Sequence, residues 1–376
     1  MSTEENLDGL LAELVAIPSV NPAYGGEGEA EVAAFVAGWL SQRGMDVELQ
    51  EVFPGRNNVI ARCGKVDGGP AILLEAHMDT VGVEGWAKGS PFDPARKGVR
   101  LYGRGSCDTK ASLATFMSIA AHFARNPSLL SVPLVFAATV DEESGQTGAS
   151  ALMELDLNLQ GAIVGEPTLL EIVHAHKGVL RFAVRTAGVS AHSALPEKGE
   201  NAILRMGKVL ERFAAYAGQL RNMEAMSALG RPTVNVGMIR GGKGVNIVPD
   251  FCVIEVDRRT LPEETAEEIV EGIRCELKDC PSAEIVDASL SFRRGLHTPK
   301  EHILSRAFAN ALERSGEKIV FSGAPYMTNA TAYATAGVPA LVFGPGDIAR
   351  AHKIDEWVDT RQLPRAFEVL RRFFSQ

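Results

Sequence analysis

The chain has 376 residues, 45% of them hydrophobic and 23% charged, with a formal net charge of −9. Its length exceeds one ordinary hydrophobic core and predicts two domains, and the composition argues against disordered or fibrous architectures. The acidic balance, with no basic run, argues against a nucleic-acid partner, and no apolar segment approaches membrane-spanning length.

From the amino end, Met1–Asn6 is polar and acidic, so no secretory leader is expected. Apolar positions at helical spacing predict helices over 4–17 and 27–44, and β-rich runs follow at Val47–Val52, Asn58–Arg62 and Ala71–Ala76. His77 and Asp79 stand just past the last run. Alternate residues of a strand share a face, so an imidazole there can bind a metal through one nitrogen while the carboxylate accepts from the other. Alone, the pair reads first as solvated loop residues.

Gly103-Arg-Gly-Ser-Cys-Asp108-Thr-Lys110 ends a short strand and leads into a predicted helix at 111–125. Asp108 is therefore either a side chain delivered by a loop or a helix cap. The glycines match neither a phosphate loop nor a dinucleotide fingerprint. A buried strand, Pro133–Val140, sets Asp141, Glu142 and Glu143 together at its carboxyl end. Such a cluster repels itself unless a cation is bound, or else it is an exposed acidic turn. A helix near 147–155 and a strand at Gly161–Val164 precede Gly165-Glu166-Pro-Thr168, and the alternation predicts a central sheet covered by helices.

From Gly178 the order becomes strand 178–187, helix 200–217, strand 233–239, strand 250–258, helix 263–279 and strand 284–292. This β-α-β-β-α-β order predicts an inserted α+β, ferredoxin-like domain. Helix 302–315, strands 318–321 and Ala340–Phe343, and an amphipathic helix at 361–374 then resume the first pattern, with His352 after Phe343. The expected organisation is an α/β, mixed-sheet catalytic domain of residues 1–177 and 293–376, with a lid domain over 178–292.

His77, Asp108, Glu142 and Glu143, Glu166 and His352 each follow a strand or occupy a strand-to-helix turn, and in an open sheet such ends converge on one crevice. Histidines with carboxylates suit a paired zinc site, while manganese or cobalt can take the same donors. His122, His174, His176, His297 and His302 take no catalytic role in this reading. The five cysteines, Cys63, Cys107, Cys252, Cys275 and Cys280, are scattered and read as reduced thiols of a cytoplasmic protein. Cys107, beside Asp108, reads as a packed small side chain.

Nearly end to end, the chain resembles the di-zinc deacylase and peptidase family that includes acetylornithine deacetylase, succinyl-diaminopimelate desuccinylase, aminoacylase-1 and glutamate carboxypeptidase. The likeness rests on His77-Met-Asp79-Thr, Gly103 to Lys110, Asp141-Glu-Glu143-Ser-Gly, Gly165-Glu-Pro-Thr168 and the late His352. It implies that Asp108 bridges two zincs, with His77 and Glu166 on one and Glu143 and His352 on the other. It further implies that Asp79 orients His77 and that Glu142 is the general base. His192, in Val189-Ser-Ala-His192, is implied to stabilise the oxyanion from a partner subunit, and Asn246 and Arg258 to hold the substrate's backbone and carboxylate. The inserted domain then serves as a lid through which a homodimer forms.

The stretch Val342 to Val358 looks most like acetylornithine deacetylases, which implies removal of an acyl group from a small N-acyl amino acid. A desuccinylase-like enzyme, or a dipeptidase or carboxypeptidase on the same site, is the alternative; a catalytically silent metal-binding scaffold is the non-enzymatic one. Two departures stand out. Asn329, in Thr328-Asn329-Ala, replaces an acid that many relatives carry, and Thr109 with Ala111-Ser112 replaces Met and Gly-Gly.

Overall fold

The structure, a computed structural model, describes residues 6–64, 69–87 and 89–375. In chain order the elements are α1 (Leu7–Ala16), α2 (Ala30–Ser41), β1 (Val47–Phe53), β2 (Arg56–Cys63), β3 (Ala71–His77), β4 (Ala95–Lys97), β5 (Arg100–Tyr102) and α3 (Lys110–Arg125). There follow β6 (Leu134–Thr139), α4 (Thr147–Leu152), β7 (Leu159–Val164), β8 (Ile172–His176), β9 (Gly178–Ala187), α5 (Ala202–Asn222), β10 (Thr233–Gly241) and β11 (Phe251–Thr260). The last are α6 (Ala266–Glu276), β12 (Ala283–Arg293), β13 (Leu296–His297), α7 (Ile303–Arg314), β14 (Phe321–Ala324), α8 (Ala330–Thr335), β15 (Ala340–Val342), β16 (Trp357–Asp359) and α9 (Gln362–Phe374).

The fold is mixed α/β, and the chain separates into two compact units. The larger comprises residues up to His174, His297–Ser322 and Thr328 onward; the smaller comprises Ala175–Leu296 and Gly323–Met327. The large sheet has the order β1-β2-β6-β3-β7-β15-β8-β13, with β14 paired to β8. At its centre β6, β3, β7 and β15 run parallel. Every residue of β3 is buried, as a strand covered on both faces requires. The core joins Leu11 and Leu14 of α1, Phe116 and Phe123 of α3, Phe308 of α7 and Phe373 of α9 to Leu74 and Phe136 of the strands.

A second sheet, ordered β16-β5-β4, arises from three short strands that carry too few residues to show a period in the sequence. The strand expected at 318–321 lies further along, at Phe321–Ala324.

The smaller unit is an antiparallel sheet, β10-β11-β9-β12. Its strands alternate: Leu180, Phe182 and Val184 of β9 and Ile254 and Val256 of β11 pack with Met206 and Phe213 of α5 and Ile269 and Ile273 of α6. Asn201 caps α5, and Thr265 with Glu268 forms a capping box on α6.

Candidate metal centre

The four parallel strands finish on one edge of the large sheet, and each delivers a candidate residue there. β3 ends on His77; β6 ends just before Asp141–Glu143, β7 just before Glu166, and β15 ahead of the loop bearing His352. Asp108 enters from the loop in front of α3. The close approach of β7 to α3 depends on Gly165, because a Cβ there would lie 2.7 Å from the Ser112 Cβ.

The His77 Nδ1–H donates to the Asp79 main-chain oxygen at 2.9 Å. A carbonyl can only accept, so this bond fixes the tautomer and leaves Nε2 with a free lone pair. That Nε2 lies 3.1 Å from Asp108 Oδ1 and 3.9 Å from Glu166 Oε1. The other Asp108 oxygen, Oδ2, lies 3.2 Å from His352 Nε2, which is also 3.1 Å from Glu143 Oε2. One carboxylate thus faces both histidines.

The Asp79 carboxylate faces His77 and also holds the loop that follows β6. Its Oδ1 is 3.4 Å from His77 Nδ1, and the carboxylate accepts the main-chain N–H of Glu142 and of Glu143, each at 3.0 Å. Asn21 Nδ2 donates to it at 2.8 Å and to Asp141 at 3.1 Å. Asp141 and His352 are non-glycine residues with positive φ, 67° and 59°. Such conformations persist where the surroundings over-determine them. Around Asp141 these are Glu29 Oε1, which accepts its N–H at 3.0 Å, and Thr147, which donates to its carboxylate at 2.7 Å.

The electrostatics are those of crowded negative charge. Burial first, and then repulsion from Glu143, Asp79 and Asp108, push Glu142 up to about 8 against the pull of His77. Burial and Asp108 push Glu143 up to about 7, and burial with the neighbouring acids lifts Glu166 well above the carboxylate range. Asp108, although buried, is held below its usual range by His352 and His77. Hydrogen bonds to Asp108 and Glu143 raise His352 to about 10. Divalent cations would relieve the same excess charge. The donor atoms fit them: ligand atoms of His77, Asp108 and Glu143 all lie within 4.8 Å of one another, as do those of His77, Glu142 and Glu166. Nitrogen and oxygen donors in this mixture suit zinc, manganese or cobalt.

The profile of Peptidase family M20/M25/M40 matches residues 73–376. An acetylornithine deacetylase of Myxococcus xanthus is 37% identical over 332 residues, covering 84% of this chain and 82% of that protein. Another, from Pectobacterium carotovorum, is 31% identical over 96% of this chain and 95% of its own length. The chain belongs to peptidase family M20/M25/M40.

It is accordingly a metal-dependent hydrolase of the deacylase and peptidase class. The fold agrees. Aminopeptidase PepT from Bacillus cereus superposes with a TM-score of 0.78 at 23% identity, covering 98% of this chain and 97% of that one. A dinuclear metal-binding M20 peptidase from Bacillus subtilis gives 0.73 at 17% identity, covering 98% and 96%.

The remaining family-implied residues lie in the smaller unit. His192 is exposed, and its Nδ1 accepts from Ala194 N–H at 3.1 Å, so the neutral ring carries its proton on Nε2. Asn246 is exposed on the loop paired with it, the Ser193 N–H donating to Asn246 O at 3.0 Å. The expectation for Arg258 meets a guanidinium already engaged. Arg258 is 1% exposed, and its Nη2 and Nη1 donate to Glu264 at 2.5 and 3.2 Å, its Nε to the Tyr216 hydroxyl at 3.2 Å. It continues the inward-facing series Cys252, Ile254, Val256 of β11, so it belongs to the packing of the unit. Arg259 lies on the opposite face and donates to Asp257 at 2.8 Å. Replacing Arg258 with alanine strands Glu264, and we expect a loss of about 3 kcal/mol in urea unfolding, at the low end for a broken buried pair because Glu264 is partly exposed.

Sequence reasoning passed over Tyr24, Gln146, Thr139 and Glu75. Tyr24 donates to the Glu143 main-chain oxygen at 3.0 Å, and Gln146 donates to Glu142 Oε1 at 3.2 Å. The buried Asn329 donates to Glu75 Oε1 at 2.9 Å, and Thr139 does so at 2.5 Å. The acid missing at 329 therefore has a buried counterpart on β3, two residues before His77.

Proposed function

We propose that the protein hydrolyses the amide bond of a small N-acyl amino acid, using a pair of zinc ions held by His77, Asp108, Glu143, Glu166 and His352. The observation that carries this reading is the Asp108 carboxylate, with one oxygen 3.1 Å from His77 Nε2 and the other 3.2 Å from His352 Nε2. A shared carboxylate needs that disposition. His77 and Glu166 serve one cation, Glu143 and His352 the other. When bound, the cations supply Lewis acidity, polarising an amide carbonyl and acidifying water. Cobalt or manganese could do the same.

Glu142 is the proposed general base. It sits beside the ligands, its backbone pinned by Asp79 and its carboxylate held by Gln146. It takes a proton from the attacking water and returns it to the leaving nitrogen. The Nε2–H of His192 is the proposed donor to the oxygen that becomes negative as water adds. With Arg258 engaged elsewhere, Arg259 takes over its part in gripping a substrate carboxylate, and Asn246 is the proposed contact for the substrate backbone.

His192 and Asn246 lie beyond the start of β11 and Arg259 near its end, and eight residues of strand span roughly 26 Å. A small acyl amino acid cannot touch both from one copy. This separation supports a homodimer in which one copy supplies the arginine and its partner the histidine and asparagine. The acetylornithine deacetylases among the relatives favour a short acyl group. Asn329 is 1% exposed and turned to Glu75, so its replacement of an acid alters the support beneath His77 and is compatible with a cationic substrate. A cytoplasmic setting is proposed from the free cysteines; no helix of the described residues is long and apolar enough to cross a membrane.

The full-length protein, reconstituted in turn with zinc, cobalt and manganese, is to be assayed on acetyl, succinyl and formyl amino acids and on dipeptides. We expect kcat/KM for an acyl amino acid to exceed that for any dipeptide by at least about tenfold. A preference for dipeptides would move the assignment to peptidase. Mixing His192→Ala with Glu142→Ala subunits should recover part of the activity neither has alone; no recovery removes the trans role of the histidine.

A further inference from the structure

Two carboxylates near the centre play matching parts, and only one has been given a role so far. Asp79 accepts two consecutive main-chain N–H groups, those of Glu142 and Glu143. Glu356 does the same for the loop that carries Asp108: its Oε1 accepts the N–H of Cys107 at 2.8 Å and of Asp108 at 3.0 Å. Its Oε2 accepts from Arg104 Nη1 at 2.6 Å, and Arg104 Nη2 in turn donates to Gly82 O at 2.9 Å. Glu356 is fully buried, as is Lys110, whose ammonium donates to Ile17 O at 2.7 Å.

The small sheet explains how a residue so late in the chain arrives there. Trp357 of β16 pairs with Tyr102 of β5, and the Gly103 N–H donates to Glu356 O at 3.1 Å. The Asp108 loop leaves β5 directly, so this pairing places the Glu356 carboxylate under the loop. The N-terminus of α3, a helix of 16 residues, begins at the far end of the same loop and favours negative charge beside it.

We propose that Glu356 is the positioning residue for the bridging carboxylate, fixing the Asp108 loop so that its two oxygens stay aimed at His77 and His352. This rests on the two-cation reading of the centre. His352 lies only four residues before Glu356, so one buried side chain ties the segment of one ligand to the loop of another. A carboxylate that must serve two cations tolerates little drift, because a small rotation lengthens one bond as it shortens the other. Loss of such outer support costs metal affinity more than it costs the fold.

The test uses Co2+ alone, titrated into the metal-free full-length protein. Visible absorption follows binding, and electron paramagnetic resonance follows the coupling of the two ions. For Glu356→Gln we expect the weaker cobalt affinity to fall about ten- to hundredfold, with loss of spin coupling. Arg104→Gln/Glu356→Gln, which removes the Arg104 cation together with its carboxylate partner, should behave alike and covers a failure of the single variant to fold. Wild-type cobalt affinity and coupling in either folded variant, whatever the change in thermal stability, overturns the positioning role and leaves Glu356 a structural partner of Arg104. Asp108→Asn is run in parallel. If it too leaves coupling intact, the bridging assignment itself fails; if it abolishes coupling while both Glu356 variants keep it, only the inference about Glu356 fails.

Discussion

Replacing Glu142 with alanine is expected to lower kcat by about a thousandfold, within the range of roughly 10² to 10⁴ for a lost general base, while zinc content stays at two per chain. This corresponds to about 4 kcal/mol of barrier. Both halves of the outcome matter, because the geometry offers Glu142 two occupations. A ligand atom of Glu142 lies within 4.8 Å of those of His77 and Glu166, close enough to coordinate. Against that, its carboxylate accepts a hydrogen bond from Gln146, whereas Asp108 and Glu143 both face His352. Metal analysis of the purified variant separates the two. A loss of one equivalent makes Glu142 a ligand, and near-normal turnover with metal retained removes it from the chemistry.

The residues of the larger unit were legible because they announce themselves by position. Each follows a strong apolar strand, and parallel strands must end on a common edge, so convergence could be argued before any coordinates. What the sequence hid were interactions between segments with no local signal. Glu356 sits beside Asp355 in a polar stretch, and nothing in the spacing says which acid is buried; the short strands β5 and β16 that bring it to Asp108 have too few residues to be seen. Glu75 is an acid within a fully buried strand, a visible anomaly whose partner, Asn329, is 254 residues away.

Arg258 shows the opposite case. The alternation Cys252, Ile254, Val256, Arg258 was readable as an inward face, and period two assigns Arg258 to the core and Arg259 to the other side. The motif resemblance drew attention to the arginine without asking which way it pointed. Physical periodicity therefore separates Arg258 from Arg259, which a motif alone does not.

Substituting Asp108 by asparagine is expected to reduce bound zinc from two per chain to one or fewer and to lower kcat/KM by more than about a thousandfold. The amide removes a negative charge and turns one of the two oxygens into an NH₂ group, which carries no lone pair for a cation. In the native chain each oxygen has its own histidine, at 3.1 and 3.2 Å, so whichever way the amide turns, one side of the centre loses its donor. Asp108 is also held below the usual carboxylate range despite its burial, so the charge being deleted is one the site has arranged to keep. Zinc analysis and kinetics on the same preparation decide it. Two zincs with native turnover would mean that Asp108 is a cap for α3, the reading its position before a helix allows, and that the bridge lies elsewhere.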